Sequence, residues 1–177
     1  KNFLTEMWDS VSRAIDFVLE LQGSNGEIFW CLDTKKGVQH DCLLTGCSSI
    51  YKSLECAIAI GSALKKNTET WSAARKRLGN AISDHPECFD QTWNSKERYA
   101  MDWFYPVLAG VIRKEEALKR INQRWDEFVE TGWGCRCVSD QPWVTVAETC
   151  ELVMALNCIG DRARAATLFS WLNQFRE

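Results

Sequence analysis

Stretches rich in charge alternate along this chain with stretches almost free of it, and the helical period runs through both. From Cys42 to Leu64 the only charged residues are Lys52 and Glu55, from Tyr99 to Ile112 only Asp102, and from Thr145 to Cys158 only Glu148 and Glu151. The intervening segments are loaded instead: Arg75, Lys76 and Arg77 cluster in one, and Lys114, Glu115, Glu116, Lys119, Arg120, Arg124 and Glu127 fall in another. A helix apolar on all sides must be buried on more than one of them, whereas an amphipathic helix covers a core from outside. The pattern predicts seven helices, near 5–22, 43–64, 69–83, 95–112, 114–130, 145–158 and 161–175, in the order outer, inner, outer, inner, outer, inner, outer. The first shows the face plainly, with Trp8, Val11, Ile15, Val18 and Leu19 at helical spacing after Thr5 as N-cap. No run alternates with period two, so the expected fold is all-α, helical hairpins in two concentric layers.

At 177 residues and 46% hydrophobic, the chain is sized for one compact domain with a core, residues 1–177. Its 21 basic and 24 acidic residues are interspersed, which leaves no basic stripe to neutralise a phosphate backbone and argues against nucleic acid as partner. No apolar run approaches the ~20 residues of a membrane span. Residues Lys1 to Glu6 contain no apolar core of a signal peptide. Nine cysteines, an odd number without the density of a disulfide scaffold, read as free thiols in a reducing, cytoplasmic compartment, with Cys47, Cys56, Cys150 and Cys158 acting as small hydrophobes.

Placing Gln22 over Gln174 sets Ala14 on Ala166 and Phe17 on Phe169, the mark of an internal repeat. After Gln22 come a turn, Gly26 and then Trp30; after Gln174 the sequence ends at Glu177 before a counterpart could follow. The expectation is a C-terminally truncated portion of a longer repeat protein. Gln22, Gly26 and Trp30 resemble the QW repeat of class II terpene cyclases, squalene cyclases and the β-subunits of protein prenyltransferases. The strings Leu44-Thr45-Gly46-Cys47, Tyr99-Ala100-Met101-Asp102-Trp103-Phe104-Tyr105-Pro106 and Val138-Ser139-Asp140-Gln141-Pro142-Trp143 are similar to bacterial prenyltransferase-like proteins. The resemblance implies an α/α toroid, here an incomplete ring, whose central cavity opens at the N-terminal ends of the inner helices and holds an isoprenoid or lipid-linked small molecule. The Asp-x-Asp-Asp acid of the cyclases is absent, and His40 and His85 stand in no version of the prenyltransferase zinc pattern.

Asp102 is the first candidate for chemistry, because a carboxylate alone on an apolar helix is paired, protonated or faces a wet cavity. Pro106, one turn on, removes a backbone hydrogen bond beside it. An ion pair to Lys52 or Arg98 is the competing account of Asp102. Glu148 and Asp140 are further catalytic candidates, and Glu148 with Glu151 would share one side of a helix. Lys52 and Arg98 suit an anionic head group. Trp103, Tyr105, Trp133, Arg136 and Trp143 complete the expected substrate contacts, since aromatic faces hold isoprenoids, stabilise cations or stack on sugars. Cys135 and Cys137 form half a metal site without further ligands, so no metal is assigned, and no cofactor can be named. The long link from Gly23 to Asp41 is a candidate lid.

Three functions stay open: an isoprenoid transferase or cyclase; a carbohydrate-active α/α barrel, in which Asp102 and Glu148 flank a glycosidic bond; and a non-catalytic helical scaffold. Apolar edges of an incomplete ring would favour a homodimer.

Overall fold

The computed structural model describes residues 2–175 and divides at Asn94 and Ser95 into two compact units. Both are built mainly of helices, so the mostly α architecture read from the sequence holds.

In the first unit α1 (Asn2–Glu20) leads through a hairpin of β1 (Cys31–Asp33) and β2 (Gly37–Gln39) into α2 (Leu44–Ala63), α3 (Glu69–Asp84) and a short 3-10 turn (Pro86–Cys88). Helix α3 lies along α2, and its apolar stripe of Trp71, Ala74, Leu78 and Ile82 is buried. The Trp71 indole N–H reaches back to Asp16 Oδ1 of α1 at 2.9 Å, and its ring lies 5.4 Å from that of Trp8. Thr5, expected as the N-cap of the first helix, falls inside α1 instead.

In the second unit α4 (Ala100–Leu108), α5 (Lys114–Gln123) and α6 (Trp125–Phe128) precede a three-stranded antiparallel sheet of β3 (Val129–Glu130), β4 (Gly134–Arg136) and β5 (Val144–Thr145). The chain then forms α7 (Val146–Cys158), α8 (Arg162–Trp171) and a 3-10 turn (Leu172–Phe175). Trp103, Phe104, Phe128, Leu152, Leu156 and Leu168 centre one continuous core. Thr145 and Asp161 cap α7 and α8, accepting from the backbone N–H of Glu148 and Arg164.

Several boundaries depart from the sequence reading, each for a local reason. The fourth helix starts only at Ala100, because Tyr99 is extended and bridges Val138, and it ends by Leu108 ahead of Gly110 at φ +75°. The fifth predicted helix breaks at Arg124 into α5 and α6. The sheets went unpredicted because strands of two or three residues are too short to show an alternation. The link expected as a lid contains the β1–β2 hairpin, tied down by the Gln22–Ile28 bridge.

The apolar helices are not equally enclosed. Ala100, Asp102, Trp103, Phe104, Pro106 and Val107 bury most of α4, whereas α7 presents Val146 and Met154 to solvent. Among the described residues no helix is long and apolar enough to cross a membrane.

Candidate functional site

In the second unit the sheet preceding α7 positions a concave surface. Gly134 holds φ +140°, and a Cβ there would stand 2.4 Å from Thr149 Oγ1, so the strand lies flush on the first turn of α7. Thr149 locks it, accepting from the Cys135 N–H at 2.8 Å and donating to the Thr145 carbonyl at 2.6 Å. The Cys137 N–H donates to the Trp143 carbonyl at 2.8 Å, which closes the loop that carries Pro142 and turns Trp143 outward. Two further bonds stitch that loop to the start of α4: Ala100 N–H to Cys137 O at 3.0 Å and Ser139 N–H to Arg98 O at 2.9 Å.

The result is a groove of about 570 Å³ lined by Glu130, Trp133, Pro142, Trp143, Val144 and Phe175. Trp133 and Trp143 are 54% and 60% exposed, unusually bare for indoles. The Gln174 side-chain amide donates to Gly132 O at 2.9 Å, and the Phe175 ring sits 6.4 Å from that of Trp133. Glu130 is ion-paired with Arg136.

The first two turns of α7 carry a polar cluster. Glu148 is hydrogen-bonded to the Thr145 hydroxyl, one turn before Glu151, which accepts from the Tyr105 hydroxyl at 2.8 Å. Burial, reinforced by that bond and by the charges of Glu151 and Glu148, pushes the Tyr105 phenol up to about 12. Burial, followed by the hydrogen bond to Glu148 and its charge, raises the Cys137 thiol as well. The structure thus brings Tyr105, Glu148 and Glu151 together, and separately places Trp133, Trp143 and Glu130, the ion-pair partner of Arg136, around the groove.

The remaining candidates lie elsewhere. Asp102 is 9% exposed, and its charge acts on Arg120 and Arg124 of the following helical segment. Trp103, expected to touch substrate, is 1% exposed and stacks on Phe128 at 5.1 Å, while its indole N–H donates to Arg120 O; the apolar core takes it. Arg98 and Asp140 form a solvent-facing ion pair at 2.7 Å. Lys52 belongs to the first unit, where it pairs with Glu55, itself joined to Arg75 of α3. Sequence reasoning missed Glu130 and Phe175 in the groove; both stand at ends of short elements, where helical periodicity carries no information.

No protein-family model matches the chain. The MMP endo-(1,4)-3-O-methyl-alpha-D-mannosidase of Mycolicibacterium hassiacum is 48% identical to it over all 177 residues. The chain spans about half of that relative's length, 48%. This finding overturns the resemblance to prenyltransferases and terpene cyclases, and with it the isoprenoid substrate. Identity at about half of all positions outweighs a three-residue motif of loose spacing, and the name of the relative is that of a glycosidase.

Proposed function

We propose that this chain is part of a carbohydrate-active enzyme that hydrolyses α-linked, O-methylated mannosides. The observation that supports the reading is the groove walled by Trp133, Trp143 and Phe175, whose lining residue Val144 lies one helical turn in sequence before Glu148, the first of two carboxylates on α7. A methylated sugar offers more apolar surface and fewer hydroxyl donors than the parent sugar, and bare indole faces suit it better than a densely polar cleft. Glu130 and Arg136 are available at the groove for the remaining hydroxyls.

Glycoside hydrolysis requires one carboxyl group to protonate the departing oxygen and a second to act as nucleophile or to activate water. We assign these two roles to Glu148 and Glu151, with the Tyr105 hydroxyl orienting Glu151. Asp140 and Arg98 are read as the polar rim, and Asp102 as the charge partner of Arg120. The nine thiols fit a reducing compartment, and we place the reaction in the cytoplasm.

The test is to incubate the full-length protein carrying this chain with an α-(1,4)-linked oligosaccharide of 3-O-methyl-mannose and to follow product length by mass spectrometry. The expected result is progressive shortening, reduced at least ~100-fold in Glu148→Gln and Glu151→Gln. An intact oligosaccharide after exposure to folded wild-type protein overturns the reading.

A further inference from the structure

We propose that the first unit holds a second sugar-stacking site, the corner between Trp30 and Trp93, with Asp41 as its positioning residue and an O-methylated α-mannopyranoside as its ligand. The ligand class rests on the function proposed above; the geometry of the corner does not.

Asp41 is only 2% exposed, and its carboxylate accepts four hydrogen bonds. Oδ1 takes the N–H of Cys42 at 2.7 Å and of Gln91 at 3.0 Å. Oδ2 takes the N–H and the hydroxyl of Thr92 at 2.5 and 2.6 Å. The Asp41 carbonyl also accepts from the Trp30 N–H at 3.0 Å. One buried residue therefore fixes both the turn that carries Trp30, just before β1, and the loop that carries Trp93. Burying a carboxylate is costly unless its oxygens are fully engaged, and here three of the four carboxylate bonds come from Gln91 and Thr92, next to Trp93, while the backbone carbonyl holds Trp30.

The rings meet edge to face, with centroids 5.3 Å apart and planes at 79°. Trp93 is oriented further by its indole N–H, which donates to Asp90 Oδ1 at 2.5 Å, and Asp90 itself sits at φ +56°. Trp30 nevertheless remains 51% exposed. Two indoles near a right angle give a floor and a wall. A pyranose laid on the floor presents its polarised C–H groups to one π face and its rim to the other ring, and a methyl ether adds apolar contact without a donor left unpaired.

The position of Trp30 in the chain supports the assignment independently. The Gln22 amide donates to Gly26 O at 2.9 Å, as the Gln174 amide donates to Gly132 O at 2.9 Å. Both glycines hold positive φ; Gly132 directly precedes the exposed Trp133, and Gly26 stands four residues before the exposed Trp30. Trp30 stands directly before the β1–β2 hairpin that precedes α2, and Trp133 lies between β3 and β4 of the sheet that precedes α7.

The full-length protein labelled with 5-fluorotryptophan, titrated with methyl 3-O-methyl-α-D-mannopyranoside and read by fluorine NMR, tests the proposal, with Trp30→Phe and Trp93→Phe assigning the resonances. Saturable shifts at Trp30 and Trp93 are expected. Trp30→Ala, a change at a solvent-facing ring, should weaken the titration of Trp93 at least tenfold and leave Trp133 and Trp143 unchanged. Thr92→Val, which removes one of the four bonds to Asp41, should weaken it severalfold. Movement of Trp133 or Trp143 with Trp30 and Trp93 still overturns this inference and spares the proposed function. Stillness of all four overturns this inference, and the oligosaccharide cleavage assay then judges the proposed function separately.

Discussion

Arg120 supplies the hydrogen bond that Pro106 cannot make. Proline at 106 has no N–H for the carbonyl four residues back, Asp102 O, and the Arg120 guanidinium donates to that oxygen at 2.8 Å and to Trp103 O at 2.7 Å. The Trp103 indole returns a bond to Arg120 O at 2.8 Å, so α4 and α5 are clamped from both sides. Burial draws the Arg120 guanidinium below its ordinary value, and the Asp102 charge opposes that pull.

Arg120→Met should therefore cost about 2–4 kcal/mol of unfolding free energy, because two carbonyls lose their donor and Asp102 loses a counter-charge. Urea denaturation measures it. Asp102→Asn should also lower stability while leaving sugar affinity at the groove unchanged; a loss of turnover with undiminished stability would instead make Asp102 part of the chemistry.

Gly134→Ala should be destabilising by about 2–4 kcal/mol. The new methyl would collide with Thr149 Oγ1 at a φ that side-chain-bearing residues rarely adopt. Thermal unfolding reads the loss, and Gly132→Ala, with open space around its Cβ, is the milder comparison.

Alkaline pH should weaken the second unit through Tyr105. Its native value, about 12, lies above the ordinary phenol value of about 10. The folded protein thus holds the proton more tightly than the unfolded chain, and the resulting stability is complete below pH ~10 and disappears as the pH rises through ~12. Melting temperatures between pH 9 and 12 should fall more steeply for wild type than for Tyr105→Phe.

Asp41 carries the opposite sign. Burial alone would raise its carboxyl, but the bonds from Thr92, Gln91 and Cys42 outweigh it and hold the group below the ordinary carboxylate value. Its stabilisation is full above that ordinary value and is lost as the pH falls through the lower native one. Asp41→Asn should reduce stability near neutral pH, with the gap to wild type narrowing in acid, as pH-dependent denaturation would show.

Trp143→Ala should weaken binding of the methylated mannoside at the groove by tenfold or more. Covering about 100 Å² of indole at about 25 cal/mol per Å² is worth about 2.5 kcal/mol. Because the ring is bare in the free protein, the melting temperature should scarcely move, and isothermal calorimetry separates the two effects.

The alternation of charge and the helical spacing determined where most of the helices lie, because those properties follow from neighbours three and four residues away. That Trp133 and Trp143 stand bare at a groove follows the sequence reading of the Gly132–Trp143 segment as an aromatic surface. The fates of Trp103 and Asp102 were not visible. Whether an indole is buried in a core or bare in a groove depends on elements distant in sequence, here Phe128 and Arg120. Nor could local pattern reveal Asp41, whose carboxylate acquires its meaning from Gln91 and Thr92 some fifty residues away. Hydrophobic period is a property of contiguous residues, whereas hydrogen bonds that join separate segments exist only once the chain has closed those loops, and tertiary structure alone decided them.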